Sequence, residues 1–323
     1  VGIQGTGESV WMAWFLCDVL KRFAGLAQIT GMGEMEQDYR ERAESISAAV
    51  EEHAWDGSWY RRAWYDDGAV IGSSQCGEAV IDSISQSWAV ISGAGDPERA
   101  GKALDSAWEK LVLQEEKMAL LLTPPFDRSE KDPGYIKGYP PGVRENGGQY
   151  SHAAMWLAKA LAMSGSGGRA VDLLTWLSPV LHTADPENVN KYRTEPYAVA
   201  ADVYRLEGHL GQGGWTWYTG AAGWMYRVWI EDVLGLKVEA DKLRIDPSIS
   251  AQWDGFRVRY DRGTALYDIE VVNPERVERG VVSVEINGRL LKDGIIPLSP
   301  DRPGEEATVK HKVKVVMGKN RDS

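Results

Sequence analysis

Cysteine is nearly absent from the chain, with Cys17 and Cys76 the two that occur. Two cysteines cannot build a disulfide framework, and they suit a reducing compartment. Basic residues are outnumbered, 36 against 47 acidic, which leaves a formal net charge of −11. That balance disfavours a general binder of nucleic-acid backbones, although it leaves a local basic patch open. No apolar run approaches the roughly 20 residues that a bilayer-spanning helix needs, so no membrane span is expected. There is no internal repeat, no metal-type cysteine cluster and no G-x-x-x-x-G-K-[ST] nucleotide loop. Val1 is followed by no charged segment, apolar stretch or cleavage site of a signal peptide. A chain that starts one short loop before an apolar helical run looks like part of something longer.

What remains is a globular composition, 43% hydrophobic and 26% charged over 323 residues, a size that suits two domains or one large enzyme domain. The aromatics are lopsided: 14 Trp and 13 Tyr against 4 Phe. Flat rings with a polar handle suit sugar surfaces, and they equally well fill a helical core.

Hydrophobic periodicity predicts helices over 9–27, 33–54, 77–92, 97–115, 148–163, 168–181, 196–210 and 220–234. Asp96-Pro97-Glu98 is a helix start, with an N-cap aspartate and proline in the first turn. The 33–54 helix is polar on one face and should be exposed. The 149–163 helix is apolar or small nearly all round and should be buried. Such alternation suggests two concentric helical layers, an α/α barrel. Six hairpins would need about a dozen helices and about eight are read here, which again points to a missing N-terminal part.

Trp55–Tyr60 and Tyr65–Gly68 read as a small hairpin. A long proline-rich loop runs from Thr123 to Gly148 and carries Tyr135, Tyr139, Arg144 and Glu145, and a loop of that length in a compact domain suggests function. After Leu236 the pattern turns to period two, with Asp261-Arg-Gly, Asn287-Gly and Asp293-Gly turns. Residues 1–236 are therefore read as a helical domain and 237–323 as a small antiparallel β-domain whose charged tail frays after Gly318.

Three places could carry chemistry. His152 sits in the first turn of the buried helix, where free N–H groups and the helix dipole favour an anion; a core histidine bonded to a carbonyl is the other reading. Thr219-Gly220 offers a hydroxyl and a bare N–H at a helix start, an oxyanion cup, or else a tight glycine-rich turn with structural tryptophans. Arg144-Glu145 is either a clamp for vicinal sugar hydroxyls or a loop salt bridge. Glu195-Pro196-Tyr197 is read as a helix opening capped by Glu195, and Asp82 with Gln86 as packing.

Five segments together resemble glycoside hydrolase family 94: Gly5 to Trp11, Ile81 to Val90, Gly138 to His152, Glu195 to Tyr197, and Trp217 to Trp224. Their order is that of the family, and the Tyr139-to-His152 wording is most similar to its cyclic glucan synthase and β-1,2-oligoglucan branch. The resemblance implies an (α/α)6 barrel followed by a small antiparallel β-sandwich domain. It implies inverting phosphorolysis of a β-glucosidic bond in a gluco-oligosaccharide or glucan. Inorganic phosphate is the co-substrate, the product is α-glucose 1-phosphate, and no metal or other cofactor takes part. By motif position His152, Thr219 and Gly220 would hold phosphate. Arg144 and Glu145 would contact the donor sugar, and Tyr139 would line the acceptor side. Arg144 stands where some members carry lysine, which leaves sugar preference open.

The family's general acid belongs to an Asp-Trp-Asn-Asp motif that would fall upstream of Val1, as would a phosphate-binding arginine and an N-terminal β-domain. Loss of an acid costs about two to four orders of magnitude in such a step, so the chain by itself is expected to be nearly inactive. A cytoplasmic location is expected, or inner-membrane association if the complete protein is a cyclic glucan synthase, and the resemblance leaves room for a homodimer. Two further readings stand beside this one: an inverting glycosidase on the same barrel, and a non-catalytic carbohydrate-binding protein.

Overall fold

Ser9 begins the first helix by accepting a hydrogen bond from the Met12 amide, and α1 then runs over Val10–Ile29. A computed structural model describes residues 2–217, 219–300 and 309–319. Among these residues, seven more α-helices follow α1. They are α2 (Gly33–His53), α3 (Ser83–Ile91), α4 (Pro97–Leu111), α5 (Ser151–Met163), α6 (Gly167–Trp176), α7 (Pro186–Tyr192) and α8 (Thr219–Arg227). The chain divides into two compact units, one of Val1–Ala160 with Leu173–Trp224, the other of Leu161–Asp172 with Met225–Ser323.

In the first unit the helices stop and start where local chemistry directs. Asp82 caps α3 by accepting from the amides of Ile84 and Ser85, and Asp96 caps α4 by accepting from Glu98 and Arg99. Asp82 has a second task, pairing with Arg62. Because Asp82 is extended and Ile81–Asp82 pairs with Leu122–Thr123, α3 starts later than the 77–92 pattern predicts. The helix α4 likewise ends at Leu111, where Val112–Leu113 turns back on Met118–Ala119.

The exposed and buried helices are as read. The only buried residues of α2 are Ala43 and Val50, and its surface carries Glu36–Arg40 and Asp38–Arg42 ion pairs one turn apart. The face that α5 turns inward is apolar, with Ala153, Met155, Leu157 and Leu161 fully or almost fully buried. Beside it the tryptophans pack ring on ring: Trp156 lies 5.9 Å from Trp11 and 5.3 Å from Trp88, centroid to centroid. Such aromatic contacts contribute about 0.5–1.5 kcal/mol each beyond the area they bury.

The helix predicted over 196–210 does not form. Asp202–Val203 is extended and pairs antiparallel with Gln149–Tyr150, and Gly208 and Gly211 adopt positive φ. Tertiary pairing has overridden a helix-like apolar spacing. Glu195 accordingly caps nothing; its carboxylate accepts the indole N–H of Trp217 at 3.0 Å. A short helix stands earlier, where Asp185 caps α7 and Pro186 fills the first turn.

The second unit holds the period-two segments. A three-stranded antiparallel sheet joins Leu236–Glu239, Lys242–Ile245 and Ile295–Pro297. A five-stranded sheet has the order Gly255–Arg262, Ala265–Val272, Val309–Met317, Val281–Ile286, Arg289–Leu290. It is not wholly antiparallel as expected: Val309–Met317 runs parallel to Ala265–Val272. Local turns cannot announce such a pairing, because parallel neighbours are never joined by a tight hairpin. The predicted fraying after Gly318 falls mainly on residues outside those described. Among the described residues, no helix is long and apolar enough to cross a membrane.

Candidate functional site

The proline-rich loop of the first unit is fastened at several points. Asn146, fully buried, accepts the Phe126 amide at 2.7 Å and donates to the carbonyls of Phe126 and Tyr139, both at 2.8 Å. The Glu78 carboxylate accepts three successive amides, those of Asp127, Arg128 and Ser129. Gly142 sits at φ +89° against the carbonyl of Arg205, where a Cβ would lie only 2.4 Å away, so the backbone approach there requires glycine.

This fastening presents Arg144 and Glu145. They form an ion pair at 3.3 Å with side chains only 13% and 12% exposed, and the Tyr135 hydroxyl donates to the same carboxylate at 3.4 Å. The Arg144 guanidinium lies 5.2 Å from the ring centre of Tyr139 and 5.9 Å from that of Trp215. The three residues read from this loop, Tyr139, Arg144 and Glu145, are thus brought together, and the salt bridge exists. Its charged edges are oriented by neighbours and bordered by two aromatic faces, the setting in which a guanidinium and a carboxylate can share sugar hydroxyls.

Asp202 completes this group and was not foreseen. It is fully buried, one carboxylate oxygen accepts the Trp215 amide at 3.2 Å, and the other has no partner among the described residues. Burial pushes its carboxyl above the ordinary range, while the Trp215 amide and the Arg144 charge pull the other way. Gly214 leaves room for it, since a Cβ there would meet the carboxylate at 2.5 Å. The clue in the sequence was an acid inside an apolar stretch, and the mistaken helix over 196–210 concealed it.

The ladder between Gln149–Tyr150 and Asp202–Val203 leads directly into α5, whose second residue is His152. Gly220, second in α8, faces the imidazole: a Cβ built there would stand 3.5 Å from Nδ1. His152 is flanked by Trp156 and Trp224, with ring centres 4.5 and 6.0 Å away, and its buried Nε2 has no partner among the described residues. Burial pushes the imidazole below its ordinary range, so it is neutral near pH 7 and keeps one N–H to donate. The starts of α5 and α8 therefore come together at His152. The Thr219 side chain lies outside what the structure describes. Asp82 and Gln86 are packing residues as expected: both are buried, and Gln86 bonds the backbone of Tyr60 in both directions.

The model of the glycosyl hydrolase 94 superfamily, catalytic domain, matches residues 2–235. The cyclic beta-(1,2)-glucan synthase NdvB of Rhizobium meliloti (strain 1021) is 42% identical over 284 residues, covering 88% of this chain and 10% of that protein. Solabiose phosphorylase of Paenibacillus borealis is 31% identical over 303 residues, covering 93% of this chain and 39% of that protein. N,N'-diacetylchitobiose phosphorylase of Vibrio proteolyticus is 32% identical over 318 residues, covering 97% and 38%. The chain thus spans a tenth of the first relative and under two fifths of the other two. Among solved structures, a sialidase at 14% identity superposes with a TM-score of 0.53 over 78% of this chain and 22% of its own, a likeness of fold. With the family model covering most of its length, the chain belongs to the glycosyl hydrolase 94 superfamily.

Proposed function

We propose that this chain supplies the phosphate-holding and donor-sugar side of an inverting β-glucoside phosphorylase, of the kind also found in cyclic β-1,2-glucan synthases. The observation that carries the reading is His152, its buried Nε2 without a partner among the described residues, facing Gly220 where α5 and α8 begin. A neutral imidazole donates one N–H to phosphate and the helix starts add backbone donors, with Thr219 as a further one.

In the reaction a phosphate oxygen attacks the anomeric carbon, the glycosidic C–O bond breaks, and the departing oxygen takes a proton from a carboxylic acid. The product is an α-sugar 1-phosphate, with inverted configuration. Arg144 and Glu145 hold hydroxyls of the donor sugar, and Tyr139 borders the acceptor. The Asp-Trp-Asn-Asp motif that provides the acid in this family does not occur in these 323 residues. The Glu145 carboxylate is already engaged by Arg144 and Tyr135, which suits orientation better than activation of water. In this reading residues 1–236 belong to an (α/α)6 barrel and 237–323 form a β-sandwich domain. The substrates are a β-linked gluco-oligosaccharide and inorganic phosphate.

Calorimetric titration of the chain tests this. Glucose 1-phosphate should bind in competition with inorganic phosphate, and His152→Ala should weaken both by about 10- to 100-fold, the worth of a hydrogen bond to a charged group. Oligosaccharide binding with no response to phosphate would favour a carbohydrate-binding role instead. Free glucose released without phosphate would favour a hydrolase.

A further inference from the structure

Next to the Arg144 clamp lies a surface that the reading above leaves unused. Trp215, Trp217 and Tyr197 are 60%, 67% and 73% exposed, values far from those of the core tryptophans. Trp215 borders the Arg144 guanidinium. Two residues on, the Trp217 ring stands 5.8 Å from the Tyr197 ring at 61°. The Trp217 indole N–H is tied to Glu195, which also accepts from Thr216. The ends of this segment are fixed as well: the Trp215 carbonyl accepts the Ala201 amide at 2.6 Å, and α8 starts at Thr219. Trp217 itself takes φ +65°, a left-handed backbone that is costly for a bulky residue and that clusters where function demands it.

Solvent-exposed aromatics are normally covered or few. Here one of them, Trp215, borders a polar clamp, and two residues on a carboxylate holds the indole N–H of Trp217, whose ring meets that of Tyr197. A glucosyl unit with equatorial hydroxyls has two flat C–H faces and a rim of donors. Aromatic planes take the faces, and Glu195 can take the rim. A protein partner would need a wider apolar area than three rings interrupted by an acid.

We propose that Tyr197, Trp217 and Trp215, with Glu195 at their edge, form a platform that carries additional glucosyl units of an oligosaccharide beyond the one at Arg144 and Glu145. The platform makes the site selective for chain length. This inference rests on the phosphorylase reading for the identity of the sugar, so its test separates the two.

The chain is titrated with β-linked gluco-oligosaccharides of increasing length and, separately, with glucose 1-phosphate. Affinity should rise with length. Trp217→Ala and Tyr197→Ala should each remove roughly tenfold of that rise, an effect of the size expected for loss of one stacked ring. Both variants should leave glucose 1-phosphate binding unchanged. Trp217→Phe keeps a flat ring and should retain most of the rise, and an equal loss in the Phe and Ala variants would overturn stacking as the cause. An undiminished rise in Trp217→Ala and Tyr197→Ala overturns the platform and leaves the phosphorylase reading intact. A rise that both variants abolish, in a chain that does not bind glucose 1-phosphate, keeps the platform and defeats the phosphorylase reading.

Discussion

The Arg144–Glu145 clamp and the His152–Gly220 cup hang from the same short ladder, yet they meet opposite electrostatic problems. In the clamp two full charges are nearly buried and answer each other, with Tyr135 and the Trp215 and Tyr139 rings around them. In the cup a buried nitrogen has no answering group among the described residues, and burial pushes the imidazole below its ordinary range. Polar groups that satisfy one another form a preorganised surface. Polar groups without partners form a site that gains most when a ligand arrives. In the proposed reading the clamp orients a neutral sugar and the cup receives a charge.

This contrast can be broken most sharply from the clamp. Glu145→Ala leaves the Arg144 charge almost buried without its carboxylate and should cost about 3 kcal/mol of folding stability, read from urea unfolding. A loss below about 1 kcal/mol would show that the pair is solvated and the contrast unfounded. The cup should show itself in acid. The folded pKa of His152 is depressed, so its contribution to stability is fully present above the ordinary value of 6.5 and is lost as pH falls through the folded value. His152→Asn should flatten the stability profile below pH 6.5, although His182, also lowered by burial, leaves part of the slope. A profile that His152→Asn leaves unchanged would place the imidazole in water. The smallest effect belongs to Gly220→Ala. Its Cβ would make ordinary contacts at 3.5 and 3.7 Å with the imidazole, so stability should stay within about 1 kcal/mol of the wild type and gain slightly from helix propensity. Phosphate affinity should fall, by less than in His152→Ala, and titration of both variants gives that order.

Much of this was legible residue by residue. Asp96-Pro97 announced a helix start, and α5 announced its burial. The Tyr139-to-His152 wording announced the family. The same Asp-Pro-Glu signal recurs at Asp185-Pro186-Glu187 and opens α7, whereas the apolar spacing points to 196–210 instead. Asp202 was hidden with it: a buried carboxylate is recognisable only once the strand opposite it is known. The tryptophan excess divides between two environments. Trp11, Trp88 and Trp156 pack on one another, while Trp215 and Trp217 face solvent. Composition counts rings without saying which side of the surface they occupy. The parallel strand pair was beyond reach for the same reason, since its partners are set by distant packing.

Asn146 has one more consequence. An asparagine followed by glycine readily loses its side-chain amide, because the next backbone nitrogen can close on the side-chain carbonyl and expel ammonia. In Asn146-Gly147 that amide is fully buried and donates to two carbonyls, which holds the reaction off for as long as the loop stays fastened. Each opening of the loop exposes it. An aspartate formed there would place negative charge against the carbonyls of Phe126 and Tyr139, and the loop could not close again as before. The side chain that fastens the clamp would therefore also register each opening of the loop.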